Sequence, residues 1–223
     1  MSESDAKQMA GIHAVKYIED GMVVGLGTGS TAYYAIQEIG KRVKQGLNVK
    51  GVPTSIETAR IATEAGIPLL ENFEFIDVAI DGADEVCPYG NLIKGGGGAL
   101  FREKIVAAAS SKFIVVVNDK KNVENLGKFP LPVETLPFGC LSVKNKLEEF
   151  GCTTKLRLQE SAKPFVTDNG NYIIDCLFGK IDDPEILEFE LNAIPGVIEN
   201  GLFIGSCDLL LTGTAEGVIE VAF

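Results

Sequence analysis

Short apolar runs alternate with amphipathic stretches of helical period through the first half of the chain, and few folds accommodate that order. Met22-Val23-Val24-Gly25-Leu26 reads as a buried strand, after which Ala32, Ala35, Ile36, Ile39 and Val43 recur at the spacing of one helix face. Short strands are expected at 49–53 and 67–70, with a helix from Ile56 to about Ala65 between them. Ile76-Asp77-Val78-Ala79-Ile80 and Phe113-Ile114-Val115-Val116-Val117 are further apolar runs, and Ala99 to Ala109 between them reads as helical. Strands that alternate with helices of ~10 residues or more imply a parallel sheet with right-handed crossovers, since each helix returns the chain to the starting edge. The expected fold class is α/β, with a Rossmann-like parallel sheet.

From Phe129 the order differs. A Pro-rich stretch, Phe129-Pro130-Leu131-Pro132-Val133-Glu134, opens it. A helix is expected at 139–150, strands at 154–159 and 171–177, a helix at 184–192 and a strand at 197–201. That order is β-α-β-β-α-β, the ferredoxin-like split unit. Its middle hairpin carries Asp168-Asn169-Gly170-Asn171, whose Asn-Gly pair suits a tight turn. Leu209-Leu210-Leu211 is one more apolar strand, expected to rejoin the first sheet. The expected organisation is a Rossmann-like catalytic domain of residues 1–128 and 204–223, with a smaller ferredoxin-like α+β domain, 129–203, inserted into it. No internal repeat or low-complexity segment stands out.

Composition narrows the partners. The 223 residues carry 31 acidic against 20 basic side chains, a net charge of −11, which argues against a polyphosphate backbone as ligand, so no nucleic acid is expected. No run approaches the ~18 apolar residues of a membrane span, and the acidic start Met1-Ser2-Glu3-Ser4-Asp5 lacks the basic and apolar regions of a secretory signal. A cytoplasmic protein with no membrane partner is expected. The five cysteines, Cys87, Cys140, Cys152, Cys176 and Cys207, form no C-x-x-C pair and read as free thiols. His13 is the sole histidine and lies early in a helical segment, where an ordinary helix residue is expected rather than a ligand.

Three clusters remain for chemistry. Gly25-Leu26-Gly27-Thr28-Gly29-Ser30-Thr31 stands between a strand and a helix, where glycines permit close approach and a helix N-terminus offers N–H groups to an anion. It fits a phosphate cradle. It also fits the loose dinucleotide fingerprint Gly27-x-Gly29-x-x-Ala32, although Pro53-Thr54-Ser55 stands where a ribose-binding acid belongs. A purely structural turn capped by Ser30 or Thr31 is the third reading. Next, Asp81-Gly82-Ala83-Asp84-Glu85 puts three carboxylates at the carboxyl end of a parallel strand, where open α/β sheets hold ligands and crowded acids exchange protons. A solvated turn is the bland alternative. Last, Lys94-Gly95-Gly96-Gly97-Gly98-Ala99-Leu100-Phe101-Arg102-Glu103-Lys104 contains four consecutive glycines, which cost conformational entropy without burying a side chain. Backbone is expected to approach a ligand there, with Glu103 facing the same cleft and Lys94 supplying a cation. Arg102 and Lys104 are expected to pair with neighbouring acids.

An anion cradle, several carboxylates and a lysine suit an aldose-ketose isomerase working through an enediolate: a carboxylate carries a proton between adjacent carbons, a cation steadies the oxyanion, and a phosphate anchor holds the substrate. A metal-dependent hydride shift calls for a set of His and acidic ligands, for which one histidine is poor material, although acids alone can hold Mg²⁺. No metal and no cofactor are expected.

These clusters together resemble the type A ribose-5-phosphate isomerase family. Gly127-Lys128-Phe129-Pro130-Leu131-Pro132-Val133-Glu134, Val166-Thr167-Asp168-Asn169-Gly170-Asn171 and Asn192-Ala193-Ile194-Pro195-Gly196-Val197 extend the likeness in order over nearly the whole chain. The resemblance implies interconversion of D-ribose 5-phosphate and D-ribulose 5-phosphate in the non-oxidative pentose phosphate pathway, without a cofactor, by a homodimer or homotetramer. It implies Glu103 as the proton-carrying base, with Asp81, Asp84 and Lys94 handling hydroxyl protons, ring opening and the enediolate. Thr28, Gly29, Ser30, Thr31, Asp81, Gly82, Ala83, Asp84, Lys94, Gly95, Gly96, Gly97 and Lys121 would line the substrate site. Where the family often shows Asp-x-Ser-Lys, this chain has Asn118-Asp119-Lys120-Lys121 and keeps the lysine.

Two other classes compete on the residues. An amino-sugar phosphate deaminase-isomerase on a similar scaffold needs a catalytic histidine, and His13 stands in the wrong segment. A sugar-phosphate sensor of the repressor type needs a basic helix-turn-helix ahead of its sugar-binding strand, where about 20 residues precede Met22.

Overall fold

The computed structural model describes residues 2–223. Its elements run α1 (Glu3–Ala14), β1 (Val23–Leu26), α2 (Ser30–Lys44), β2 (Lys50–Pro53), α3 (Ile56–Ala65), β3 (Val78–Asp81), β4 (Glu85–Val86), β5 (Leu92–Ile93) and α4 (Leu100–Ala108). There follow β6 (Phe113–Asn118), β7 (Leu131–Thr135), α5 (Cys140–Glu148), β8 (Thr153–Leu156), β9 (Tyr172–Leu177), α6 (Pro184–Asn192), β10 (Val197–Asn200), β11 (Leu202–Phe203), β12 (Leu209–Thr214) and β13 (Gly217–Ala222). They form two units, one of residues 2–83, 102–122 and 206–223, the other of 84–101 and 123–205.

The first unit is built on a six-stranded sheet in the order β13-β12-β6-β3-β1-β2, parallel except for the antiparallel edge strand β13. The periodic face of α2 explains its packing: Ala32, Ala35, Ile36 and Ile39 are buried, and Val43 packs at the margin. With Val24, Leu26, Val78, Ile80, Ile114 and Val116, the α2 residues Ala35, Ile36, Ile39 and Val43 make one apolar core between helices and sheet. Each fully buried Leu, Ile or Val side chain there contributes ~1.5–3 kcal/mol of transfer free energy. Helix α1 starts cleanly because Ser2 and Asp5 form a reciprocal capping box.

The second unit holds a four-stranded antiparallel sheet, β10-β7-β9-β8, with the expected β-α-β-β-α-β order. Alternation along β9 separates its faces. Ile174 and Cys176 join Leu131, Val133, Val143, Leu147, Leu187 and Leu191 in the core under α5 and α6, while Ile173 and Asp175 project to the other side. A three-stranded sheet, β11-β5-β4, completes the unit.

The α/β class, the parallel sheet and the return of Leu209–Thr214 to it match the sequence pattern. The boundaries expected at 128/129 and 203/204 differ from the observed division, because β4 and β5 pair with β11 and so group 84–101 with the second unit. No strand forms at 67–70: a single bridge joins Leu69 to Gly51, and Pro68 has no N–H to extend a ladder. β13 was not anticipated, since its half-exposed residues lack a continuous apolar run. The Asn-Gly turn is present, with Gly170 at φ +83° and its N–H on the Thr167 carbonyl, but it lies inside a long β8–β9 connection instead of joining the strands directly. His13 stands in the last turn of α1, not early in a helix.

Candidate active site

In the first unit the five parallel strands run β2-β1-β3-β6-β12, so the strand order reverses between β1 and β3. Open sheets of this kind bind ligands outside the carboxyl ends of the strands at that reversal. The chain leaving β1 there is Gly27-Thr28-Gly29, and the residue ending β3 is Asp81. A Cβ built on Gly27 would lie 2.2 Å from Asp81 Oδ1 and 2.6 Å from its Cα, so only glycine permits this approach. Asp81 Oδ1 accepts the N–H groups of Thr28 (3.1 Å) and Gly82 (2.7 Å). The Thr28 hydroxyl sits among those of Thr54 (2.7 Å), Ser55 (2.9 Å) and Thr58 (3.0 Å). Thr54 and Thr58 in turn donate to the carbonyls of Leu26 and Gly27. A neutral hydroxyl network thus stands where a dinucleotide site places its ribose acid.

Gly29 is the N-cap of α2, at φ +116°, and no side chain caps the helix. Ser30 is already the first helical residue, exposed, with Thr31 buried behind it. The reading of Ser30 or Thr31 as a structural cap is therefore corrected. The first N–H groups of α2, at the positive end of its dipole, carry no side-chain cap.

Glu103 is the fourth residue of α4 and is 4% exposed; Asp81 is 2% exposed. Both lie on one side of the sheet. A Cβ on Gly25 would meet the Ala79 and Val106 side chains at 2.6 Å, so α4 packs over the face that carries Ala79 and, two residues on, Asp81. Helix α4 starts at the carboxyl edge, since it leads back to the start of the parallel strand β6. Lys121, half-buried, ends the 3₁₀ turn Asp119–Lys121 that follows β6.

In the second unit, Asp84 Oδ2 accepts the N–H of Gly96 at 2.7 Å, and a Cβ on Gly96 would meet that carboxylate at 2.7 Å. Gly95 at φ +98° and Gly98 at φ +82° close the turn, with the Gly98 N–H on the Gly95 carbonyl. Gly96 and Gly97 are exposed, whereas Lys94 is buried with Nζ 5.5 Å from the Phe203 ring centroid. Glu85 drops out of the chemistry. Its two oxygens accept the N–H groups of Gly127 (2.7 Å) and Phe129 (2.6 Å), which makes it a backbone anchor. Ala83, between the two aspartates, ends the first unit's segment.

Sequence reading misses the hydroxyls of Thr54, Ser55 and Thr58, although Pro53-Thr54-Ser55 marks the place of the missing ribose acid. It also misses Arg157, which touches the glycine turn from a distant stretch of chain. His13 Nε2 lies 2.6 Å from Glu220, and all five cysteines are free and buried. Burial pushes the Cys207 thiol up to about 12, which disfavours the thiolate. Among the described residues no group of three or more His, Cys, Asp or Glu side chains is placed to hold a metal ion, and no helix is long and apolar enough to cross a membrane.

A family model described as ribose 5-phosphate isomerase A (phosphoriboisomerase A) matches residues 50–217. The chain is 53% identical over 215 residues to the ribose-5-phosphate isomerase A of Methanothermobacter thermautotrophicus, covering 95% of each. It matches the solved structure of ribose 5-phosphate isomerase A from Methanocaldococcus jannaschii with a TM-score of 0.96 and 44% identity, over 100% of both chains. A D-ribose-5-phosphate isomerase structure in complex with phospho-erythronic acid matches with a TM-score of 0.97 and 45% identity, again over 100% of both.

Proposed function

This chain belongs to the ribose 5-phosphate isomerase A family, and from that premise we propose how its residues divide the interconversion of D-ribose 5-phosphate and D-ribulose 5-phosphate. The observation that carries the reading is the first unit's sheet edge at the reversal of strand order, an uncapped helix N-terminus beside the buried carboxylate Asp81, with Glu103 buried on helix α4 that packs over the same face.

The phosphate is assigned to α2, through Gly29, Ser30 and Thr31, with Lys121 as a further cation. Thr28 is assigned to shaping that loop, since its N–H and hydroxyl are both engaged inside the protein. Glu103 removes the proton from C2 of the open-chain aldose, leaving an enediolate whose charge rests on O1. The O2 hydroxyl loses its proton as O1 gains one, and Glu103 returns its proton to C1, giving the ketose with no net change in atoms or electrons. Asp81 and Asp84 are assigned the hydroxyl protons, including those of ring opening. Lys94 is assigned the enediolate oxygen, where a desolvated ammonium acts most strongly. Gly82, Ala83, Gly95, Gly96 and Gly97 bring backbone to the sugar. No cofactor or metal is assigned.

The remaining readings are a cytoplasmic location, which the free thiols support, and a homodimer or homotetramer. Phe138, Leu141 and Phe189, exposed in the second unit, support self-association, which light scattering after gel filtration measures. The test of the function is ketose formation from D-ribose 5-phosphate in the presence of EDTA, run in D₂O. Ketose carrying solvent deuterium is expected. Activity abolished by EDTA and restored by Mg²⁺ or Mn²⁺ would overturn the metal-free route, and complete absence of solvent label would favour a shielded transfer or hydride shift.

A further inference from the structure

The glycine turn has a second support that the reaction scheme does not use. Arg157, just past β8, places its backbone N–H on the Ile173 carbonyl of β9, so its side chain falls on the Ile173 and Asp175 face, away from the core under α5 and α6. Asp175 lies diagonally across from it on that face, within reach of a long side chain. Arg157 forks onto Asp175, Nε to Oδ2 at 2.9 Å and Nη2 to Oδ1 at 2.5 Å. Its remaining terminal nitrogen, Nη1, donates to the carbonyls of Gly95 (2.9 Å) and Gly96 (3.2 Å). The guanidinium also stands 5.9 Å from the Phe165 ring centroid. That ring occupies the space a Gly98 Cβ would need, at 2.5 Å.

One peptide unit therefore has both ends held. The Gly95 carbonyl is held by Arg157, and the N–H of the same peptide, on Gly96, is held by the Asp84 carboxylate. Because Gly95 is at φ +98° and the two central glycines carry no side chains, local sterics do little to choose the orientation of this peptide. External partners choose it. Resting on the assignment of Asp84 to the reaction, we propose that Arg157 is a positioning residue: locked by Asp175, it sets the Gly95–Gly96 peptide and through it the Asp84 carboxylate. Lysine cannot substitute fully. An ammonium is a single charged point on a flexible stem, whereas the guanidinium meets a carboxylate and two carbonyls at once in a fixed plane.

The test is a double-mutant cycle on the full enzyme with D-ribose 5-phosphate, using Arg157→Met, Arg157→Lys, Asp175→Asn and Asp84→Asn, with Tm alongside kcat and KM. Since a misplacement of ~1 Å can cost ~10²-fold, Arg157→Met is expected to lower kcat ~10–100-fold, with KM changing less. Arg157→Lys and Asp175→Asn should fall between Arg157→Met and wild type. In the Asp84→Asn background, Arg157→Met should cost little more, because the group it positions is gone. Arg157 variants that lower Tm yet keep wild-type kcat and KM, or losses that simply multiply with Asp84→Asn, overturn the proposal and leave Arg157 a fold-stabilising residue. If Arg157→Met does not fold, the same criteria apply to Arg157→Lys and Asp175→Asn. An Asp84→Asn enzyme with unchanged turnover removes the assignment of Asp84 and this inference with it; a crippled Asp84→Asn beside a fully active Arg157→Met removes the inference alone.

Discussion

Two glycine loops, one in each unit, are each held by an aspartate, and those aspartates stand three residues apart in the chain. Asp81 takes the N–H of Thr28 and leaves no room for a Cβ on Gly27; Asp84 takes the N–H of Gly96 and crowds a Cβ there in the same way. The supports beyond the aspartates differ. Around Gly27 they are the buried neutral hydroxyls of Thr54, Ser55 and Thr58, joined through that of Thr28, whereas around Gly96 the support is a half-buried ion pair, Arg157–Asp175. The loop at Gly27 leads into the uncapped N-terminus of α2, and its supports beyond Asp81 add no further negative charge there. At Gly95 and Gly96 the groups to be held are carbonyl oxygens, which a cation can meet.

The largest expected effect lies in neither loop and sets the scale for both. Glu103→Gln keeps size and hydrogen bonding but cannot accept the carbon-bound proton, so kcat should fall by ~10²–10⁴-fold with substrate binding nearly normal. Near-normal turnover would move the base to Asp81 or Asp84. Next come the loop glycines themselves. Gly27→Ala drives a methyl against the Asp81 backbone as well as its carboxylate, while Gly96→Ala meets only the movable end of Asp84. Steady-state kinetics should show a loss of ~10²-fold in kcat/KM for the first and ~10-fold for the second, by the usual sensitivity to misplacement. Equal losses would mean the two grips are equivalent.

A smaller change is expected from Ser30→Ala and Thr31→Ala together. A phosphate contact remote from the reacting carbons is largely uniform binding, so KM should rise ~10-fold at nearly constant kcat. An unchanged KM would detach the phosphate from α2. The smallest effect is a control outside both loops. Lys16 first, then Tyr17 and His13, hold the Glu220 carboxyl down at about 2 from its ordinary 4.5. A carboxyl depressed on folding stabilises above its unfolded value and loses that contribution as pH falls through the folded one. The Tm difference between wild type and Glu220→Gln should therefore shrink between about pH 4.5 and 2. Glu220 is solvent-exposed, so the gap should be small throughout; a large one would mean that β13 contributes more to the first unit than an edge strand should.

Part of the candidate site is legible in local sequence. Gly27, Asp81, Lys94 and the glycine run announced themselves because glycine clusters and strand-end acids have few other uses. Arg157 could not be found that way. A lone arginine in Lys155-Leu156-Arg157-Leu158 looks like a solvated strand end, and only the pairing of β8 with β9 puts it beside Asp175 and under the glycines. Glu85 erred in the other direction. It reads as a third acid of the cluster, yet alternation along the short strand β4 turns it to the backbone of Gly127 and Phe129.

Local pattern alone determined the alternating order of strands and helices, the antiparallel unit after Phe129 and the positions where backbone must come close, because period, glycine and proline act over a few residues. That Glu85 anchors backbone, where 84–101 belongs, and what orients a peptide between two glycines were decided by contacts between segments tens of residues apart. Side-chain direction and hydrogen-bond partners of that kind are set when strands pair and faces bury, and no window of sequence contains both partners.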